Sequence, residues 1–370
     1  MKSSSCRSKV SRKVCKCISS FPSISALTVN FYQDLQELLT KNNLNFPLRI
    51  WVIDNSGSMI KTDGHRLVET RKRTDVRVVG CTRWAEIQQT AEYHVRMAAL
   101  TKAATVFRFL NDPGVAGGKQ QFGIATPDTE NDAASINEEV ARAVSTIHSA
   151  SPGGVTPLSR HVREIRENIA AMEPELRGDG TRVVVVLATD GLPTDEYGTC
   201  DQHTKNTFID ALRSLEGLPV WVVVRLCTAE EEVVDFYNDL DRHLEFSLEV
   251  LDDFIGEAEE VNEHNSWLNY ALPLHRCREM GYHNRLFDLL DERLLTVDEM
   301  KDMMCLLFGE DKFDGVPDPQ TDWNSFLKHV NSALMREKRQ WNPIKKQLTP
   351  WVDVKKLAKT YGKKGVCTIM

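Results

Sequence analysis

A short polar segment after a buried strand is the part of this chain best suited to chemistry. The apolar run ending at Ile53 is followed by Asp54, and hydroxyl residues then stand at alternate positions, Ser56 and Ser58. Gly57 between the two serines allows the backbone to turn tightly. One carboxylate and two hydroxyls are hard oxygen donors, which favour Mg²⁺ or Mn²⁺ over zinc or copper.

Two distant segments supply further oxygen atoms. Thr156 lies in a glycine-rich turn, residues 153–158, directly before a predicted helix. Asp190 follows a second wholly apolar strand, residues 183–189, and is itself followed by Gly191. We expect Thr156 and Asp190 to join the first loop in one divalent-metal site.

These five residues, in this order, resemble the metal-ion-dependent adhesion site of von Willebrand factor type A domains. The resemblance implies that Ser56, Ser58 and Thr156 are direct ligands of Mg²⁺ or Mn²⁺. It implies that Asp54 and Asp190 act through coordinating water. A cation held in this way is not fully neutralised, so it would accept a carboxylate oxygen from an Asp or Glu of a protein partner.

Apolar strands that alternate with amphipathic helices predict an α/β fold, a doubly wound and mostly parallel sheet of Rossmann-like type. The resemblance covers roughly residues 46–254, and we assign the type A domain to residues 31–254. The strand order usual for such sheets, 3-2-1-4-5-6, places the strands that end in Asp54 and Asp190 side by side. Ligands of such sheets bind where the strand order reverses.

The apolar pattern also predicts the bounds of most elements. Strands are predicted at residues 48–53, 105–110, 120–125, 183–189, 220–226 and 246–251. Helices are predicted at residues 82–104 and 158–172, and around Phe208–Leu215. Capping boxes at Ser135-x-x-Glu138 and Thr228-x-x-Glu231 predict two further helix starts.

Residues 60–80 separate the metal loop from the helix that usually follows it in the family. This stretch contains Asp63-Gly-His65 and the basic run Arg71-Lys-Arg73. Two interpretations stand side by side: an insertion that shapes or covers the binding face, and a solvated loop.

Residues 255–344 change character and predict a C-terminal helical lobe. Leucine and methionine recur at helical spacing, as in Met300, Met303 and Met304. We interpret the methionines as core rather than as a docking groove.

The two ends of the chain are basic, whereas the 370-residue chain as a whole carries a net charge of −7. Residues 1–30 are predicted to be a disordered basic tail, with a transit peptide or acylation at Cys6, Cys15 or Cys17 as alternatives. Because the body is acidic, we expect no nucleic-acid binding. Nine scattered cysteines without a Cys-x-x-Cys pair indicate reduced thiols and a cytoplasmic protein.

Residues 345–370 are lysine-rich and end in Cys367-Thr-Ile-Met370, which fits a prenylation signal. We expect a farnesyl group at Cys367. Together with lysines that attract an anionic membrane surface, it would hold the protein peripherally on the cytosolic face of a membrane.

These features predict a divalent-metal-dependent binding module for proteins, a membrane-associated adaptor rather than an enzyme. The sequence has no phosphate-binding P-loop, no His-Glu-x-x-His and no Gly-x-Ser-x-Gly motif. Two alternatives stay open: a metal-dependent hydrolase acting on phosphate esters, and a structural role without metal.

Overall fold

The structure is a computed structural model that describes residue 40 and residues 42–69, 76–126, 133–245 and 248–362. The strands are β1 (Leu48–Ile53), β2 (Gly64–Glu69), β3 (Val76–Cys81), β4 (Thr105–Phe109), β5 (Gln121–Ile124), β6 (Val183–Thr189), β7 (Val220–Leu226), β8 (Leu248–Leu251), β9 (Gln340–Asn342) and β10 (Gln347–Thr349). The helices are α1 (Arg83–Thr101), α2 (Ala133–Ser149), α3 (Leu158–Asp179), α4 (Gln202–Arg213), α5 (Glu231–Asn238), α6 (Phe254–His264), α7 (Leu272–Glu279), α8 (Arg285–Glu292), α9 (Val297–Phe308), α10 (Trp323–Leu334) and α11 (Val354–Tyr361).

A six-stranded, mostly parallel sheet forms the centre of the fold. Its order is β5-β4-β1-β6-β7-β8, with β5 antiparallel to β4 and the remaining pairs parallel. Counted along the chain, this is 3-2-1-4-5-6, so the predicted strand order is confirmed. Since β1 and β6 are neighbours, with Ile53 opposite Ala188, Asp54 and Asp190 emerge at the same edge of the sheet.

Helices cover both faces of this sheet. Helices α1 and α2 pack on the face that carries Trp51 and Phe107, and α3, α4 and α5 pack on the face that carries Val52 and Val185. Every residue of β6 and β7 is buried, as expected for parallel strands covered on both sides. The structure is therefore an α/β fold with a mostly parallel sheet.

Helix α3 is longer than the sequence indicated. The prediction ended it at residue 172, shortly before Pro174, and proline usually breaks a helix. Pro174 lies inside α3 instead, and Leu176 beyond it is buried in the core. The helix ends at Gly180, whose φ of 68° suits glycine.

Both predicted capping boxes are wrong. Ser135 lies inside α2, which already includes Ala133. Thr228 precedes Glu230, which is the N-cap residue of α5. Four-residue capping patterns are short enough to occur inside or before a helix by chance.

The stretch between the candidate metal loop, residues 54–58, and α1 is a β-hairpin, β2 paired antiparallel with β3, and not a solvated loop in its described part. Helix α1 holds its outer edge: a carboxylate oxygen of Glu86 accepts from the His65 N–H at 2.8 Å, and Gln89 Nε2 donates to the Leu67 carbonyl at 3.1 Å. The basic run at residues 71–73 lies outside the described residues.

Helices α6 to α11, with the β9–β10 pair, form the C-terminal lobe. Met300, Met303 and Met304 are fully buried in its core, which confirms their interpretation as core residues. The lobe does not stop at residue 344: Trp351 and Leu357 are buried in the same core, so it continues through α11. The predicted basic tail thus begins later than residue 345.

The lobe packs on the sheet through a buried interface. A Cβ at Gly281 would lie 2.5 Å from Val184 Cγ1, so the lobe backbone touches β6 directly. The carboxylate of Glu279 in α7 is fully buried. It forms ion pairs with Arg276 at 2.6 Å and with Arg225 of β7 at 3.3 Å. A buried charge surrounded in this way requires all its partners, so the lobe and the sheet are expected to unfold together.

Several expectations concern residues outside the described ranges. These are the tail at residues 1–30, the N-terminal cysteines at positions 6, 15 and 17, and Cys367. Among the described residues, the cysteines Cys81, Cys200, Cys227, Cys277 and Cys305 are free thiols. In the described part of the chain, no helix combines the length and the apolar character needed to cross a membrane.

Candidate functional site

The candidate metal loop begins where β1 leaves the sheet. Asp54 is fully buried, and its backbone N–H donates to the Ala188 carbonyl of β6 at 2.8 Å. Its Oδ1 accepts from the Ser56 backbone N–H at 2.8 Å. This bond turns the chain into the short 3₁₀ helix Gly57–Ile60 and fixes the carboxylate before any ligand binds.

A chain of hydrogen bonds connects the hydroxyls of this loop to the end of β6. Ser58 Oγ donates to Asp190 Oδ1 at 2.7 Å, and the Ser56 and Ser58 hydroxyl oxygens lie 2.9 Å apart. Because Ser58 has a single proton and gives it to Asp190, Ser56 must be the donor to Ser58. On the other aspartate of the site, Asp54, the Oδ2 atom accepts a hydrogen bond from the Thr189 hydroxyl at 2.6 Å.

Thr156 reaches the same place from the third segment. The Gly57 N–H donates to the Gly154 carbonyl at 3.1 Å, which joins the metal loop to the glycine turn. A Cβ at Gly191 would lie 3.9 Å from Thr156 Oγ1, so this hydroxyl faces the residue that follows Asp190. The structure thus brings together all five predicted site residues: Asp54, Ser56, Ser58, Thr156 and Asp190.

Two asparagines that the sequence reading overlooked hold the turns in place. Asn55 Oδ1 accepts from the Asn111 N–H at 2.8 Å, and Asn111 Nδ2 donates to the Val155 carbonyl at 2.7 Å. The Gly153 N–H donates to the Asn55 carbonyl at 2.7 Å. A polar residue between Asp54 and Ser56 was the only sequence signal for this role.

Arg83, the first residue of α1, was also overlooked. Its side chain is 1% exposed, and its Nη1 donates to Asp190 Oδ2 at 2.9 Å. Its Nε donates to Asp63 Oδ1 at 2.7 Å, and its Nη2 contacts both Asp63 and Glu230. Lys61 forms a further ion pair with Glu230. A guanidinium therefore borders the candidate metal site.

Burial and mutual repulsion shape the electrostatics of the two aspartates. Burial, followed by the charge of Asp190, raises the pKa of Asp54 to about 6, and the bonds from Thr189 and Ser56 oppose this rise. Two buried carboxylates in one site favour compensating positive charge. Arg83 compensates one of them, and a divalent cation would compensate the other.

The donor set fits a small divalent cation. Ligands at adjacent corners of an octahedral Mg²⁺, with bonds of about 2.1 Å, lie about 3 Å apart. The distance between the Ser56 and Ser58 hydroxyl oxygens, two proposed direct ligands, is 2.9 Å and matches this separation. Ser56, Ser58 and Thr156 would hold the cation, and Asp54 and Asp190 would hold its waters.

A second acidic cluster lies in the lobe. Carboxylate oxygens of Glu257, Glu260 and Asp291 all lie within 4.8 Å of one another, which would allow a metal ion. Arg278 already forms ion pairs with Glu257 and with Asp291. This cluster is an ion-pair network of the lobe, and nothing in it favours Mg²⁺ specifically.

Comparisons with known proteins add little to this geometry. No protein-family model and no curated protein matches the chain. Among solved structures, a mutant of the PilB minor pilin from Streptococcus sanguinis is 13% identical, with a TM-score of 0.36. The match covers 55% of this chain and 56% of the pilin chain. The chain is therefore similar over about half of its length to that pilin, at a TM-score too low to carry an argument about fold or function.

Proposed function

We propose that this protein is a divalent-metal-dependent protein-binding module of the von Willebrand factor type A family. The observation that carries the proposal is the convergence of Asp54, Ser56, Ser58, Thr156 and Asp190. They come from three segments and meet at one edge of the sheet. The Ser56 and Ser58 oxygen atoms are 2.9 Å apart, a separation suited to two ligands of one Mg²⁺ or Mn²⁺, and the Thr156 hydroxyl faces Gly191 beside Asp190.

The proposed site leaves a place for a partner. Three hydroxyls bind a cation without neutralising it, and Asp190 already shares one carboxylate oxygen with Arg83. The bound metal would act as a Lewis acid towards an oxygen ligand from outside. An exposed Asp or Glu of another protein supplies such a ligand, and a carboxylate on a desolvated cation is a strong anchor for recognition.

Binding fits the surroundings of the site better than catalysis does. In the described part of the chain, the side chains that donate to the two aspartates belong to Ser58, Thr189 and Arg83. None of these three donors acts as a general base at neutral pH, and both carboxylates are proposed to hold the waters of the cation. The proposed membrane tether at Cys367 lies outside the described residues, and the metal site does not depend on it.

Titration with Mn²⁺ by calorimetry tests the proposal. The wild-type protein should bind one Mn²⁺ per chain, and Ser56→Ala/Ser58→Ala should lose this binding because two ligands are removed. Thr207→Ala/Ser214→Ala is the matched control, since these hydroxyls bond only to backbone carbonyls at α4. Equal Mn²⁺ binding by the wild type and the Ser56/Ser58 variant would overturn the site.

A further inference from the structure

Arg83 connects the candidate metal site to the hairpin and to α5. Its guanidinium contacts three carboxylates from three segments: Asp190 after β6, Asp63 before β2 and Glu230 before α5. It stands directly after Thr82, whose side chain caps α1, so the helix start fixes its position. Among the described residues, Arg83 thus links Asp63, directly before β2, to Asp190 of the candidate site.

The charges around Arg83 differ in their access to water. Arg83, Asp54 and Asp190 are each 2% exposed or less. The side chains of Asp63 and Glu230 are 54% and 46% exposed. Water screens the two outer carboxylates, whereas charges inside the protein interact strongly. The buried part of the site thus holds two carboxylates and one guanidinium.

Each oxygen of Asp190 has a separate partner. Oδ1 accepts from Ser58, and Oδ2 accepts from Arg83. Since the guanidinium holds Oδ2, only Oδ1 faces the hydroxyl cluster. Asp190 Oδ2 is therefore not available to a cation in the site.

We infer that Arg83 is a positioning residue that sets the charge of the metal site. It lowers the affinity of the site for a divalent cation. It also leaves the bound cation with an excess positive charge, which a partner's carboxylate then neutralises. This inference rests on the proposed function, because it concerns the same metal.

The test is Mn²⁺ titration of charge variants of the full chain. Arg83→Gln removes the charge and should bind Mn²⁺ about tenfold more tightly, the equivalent of one close, partly screened unit charge. Arg83→Lys keeps the charge and should stay within about threefold of the wild type. Lys61→Gln is the control, because Lys61 is 50% exposed and screened; its affinity should change less than about twofold.

Tighter Mn²⁺ binding by Arg83→Gln cannot come from partial unfolding, because unfolding would weaken Mn²⁺ binding. Unchanged or weaker Mn²⁺ binding by Arg83→Gln, or equal tightening by Arg83→Lys, would overturn the inference. If Arg83→Gln fails to fold by circular dichroism, Asp63→Asn/Glu230→Gln replaces it. Unlike Lys61, Asp63 and Glu230 bond directly to the guanidinium. Without these two partners Arg83 acts on Asp190 alone, so Mn²⁺ should bind more weakly, and tighter or unchanged binding would overturn the inference. Absence of Mn²⁺ binding in every protein, wild type included, would instead remove the proposed function itself.

Discussion

Ser58 donates its hydroxyl proton to Asp190 at 2.7 Å, although 132 positions separate the two residues in the sequence. The bond joins the loop after β1 to the end of β6, and those strands are neighbours at the centre of the sheet. The same hydroxyl oxygen is a proposed metal ligand. The hydrogen bonds thus hold the ligand oxygens close together before a cation binds, which reduces the ordering cost of binding.

The Thr189–Asp54 hydrogen bond gives the first prediction. Thr189→Val keeps the branched shape that suits β6 but removes the donor to the buried Asp54 carboxylate. We expect the free energy of unfolding to fall by about 2 kcal/mol, as for a lost bond to a charged acceptor. Mn²⁺ affinity should fall about tenfold, because Asp54 is no longer oriented. Urea unfolding and calorimetry measure the two effects.

Thr189→Ser is the control for this prediction, since it restores the hydroxyl. Its Mn²⁺ affinity should return to near the wild-type value. A Thr189→Val protein with unchanged metal affinity would show that Asp54 needs no support from β6.

The strands and the aspartates at their ends were predictable from local pattern. Parallel strands buried on both faces read as unbroken apolar runs, such as residues 183–188. Each run ends where polar residues interrupt it, as Asp54 does after β1 and as Thr189 and Asp190 do at the end of β6. The strand order and the grouping of Ser56, Ser58 and Thr156 with these aspartates came from the resemblance to type A domains.

Features that depend on distant contacts were not predictable. Nothing in the sequence distinguishes Arg83 from an ordinary solvated arginine at a helix start, because its partners Asp190 and Glu230 are 107 and 147 positions away. The hairpin was missed because its strands are half exposed and have no continuous apolar run. The end of α3 was missed because packing of Leu176 outweighs the preference of Pro174.

The contact between the lobe and the sheet gives a second prediction. Gly281→Ala places a Cβ 2.5 Å from Val184 Cγ1, at a backbone φ of 75° that alanine disfavours. We expect the free energy of unfolding to fall by about 3 kcal/mol from overpacking and backbone strain together. Urea unfolding should show one cooperative transition at a lower midpoint.

Gly315→Ala is the matched control for Gly281→Ala. Its φ is 73°, but a Cβ there meets nothing within 4 Å. It should lose only the backbone contribution, about 1 kcal/mol. Equal losses for the two variants would show that the lobe does not press on β6.

The buried His94 gives a prediction for the effect of pH. Burial lowers the pKa of His94 to about 4 from an ordinary 6.5, although Glu279 at 3.0 Å opposes the shift. Arg276 and Arg49 act in the same direction as burial. Between these two pKa values the unfolded chain takes up a proton that the folded protein excludes.

Stability from His94 is therefore fully present above pH 6.5 and is lost as the pH falls towards 4. The loss amounts to about 3 kcal/mol over this window. Urea unfolding of wild type and His94→Gln at a series of pH values measures it. The variant should show a shallower decrease, and identical slopes would contradict the prediction.

Thr156→Ala gives the last prediction, which concerns the partner. The turn itself should survive, because the Thr156 backbone holds it: its N–H donates to Thr194 Oγ1 and its carbonyl accepts from the Thr194 N–H, both at 2.9 Å. The substitution removes the hydroxyl that faces Gly191 and one buried methyl group. We expect the free energy of unfolding to fall by about 1 kcal/mol, as for the loss of one buried methyl group.

Partner binding should respond much more strongly than folding. The wild-type protein should capture its partner from lysate in Mg²⁺ and release it in EDTA, because the proposed contact is between a carboxylate of the partner and the metal. Thr156→Ala should weaken capture by about tenfold or more, the equivalent of at least 1.4 kcal/mol. Thr156→Ser, which keeps the hydroxyl, should restore capture. A partner retained equally in EDTA and by Thr156→Ala would place recognition on another surface, because neither the cation nor its ligand would then contribute to binding.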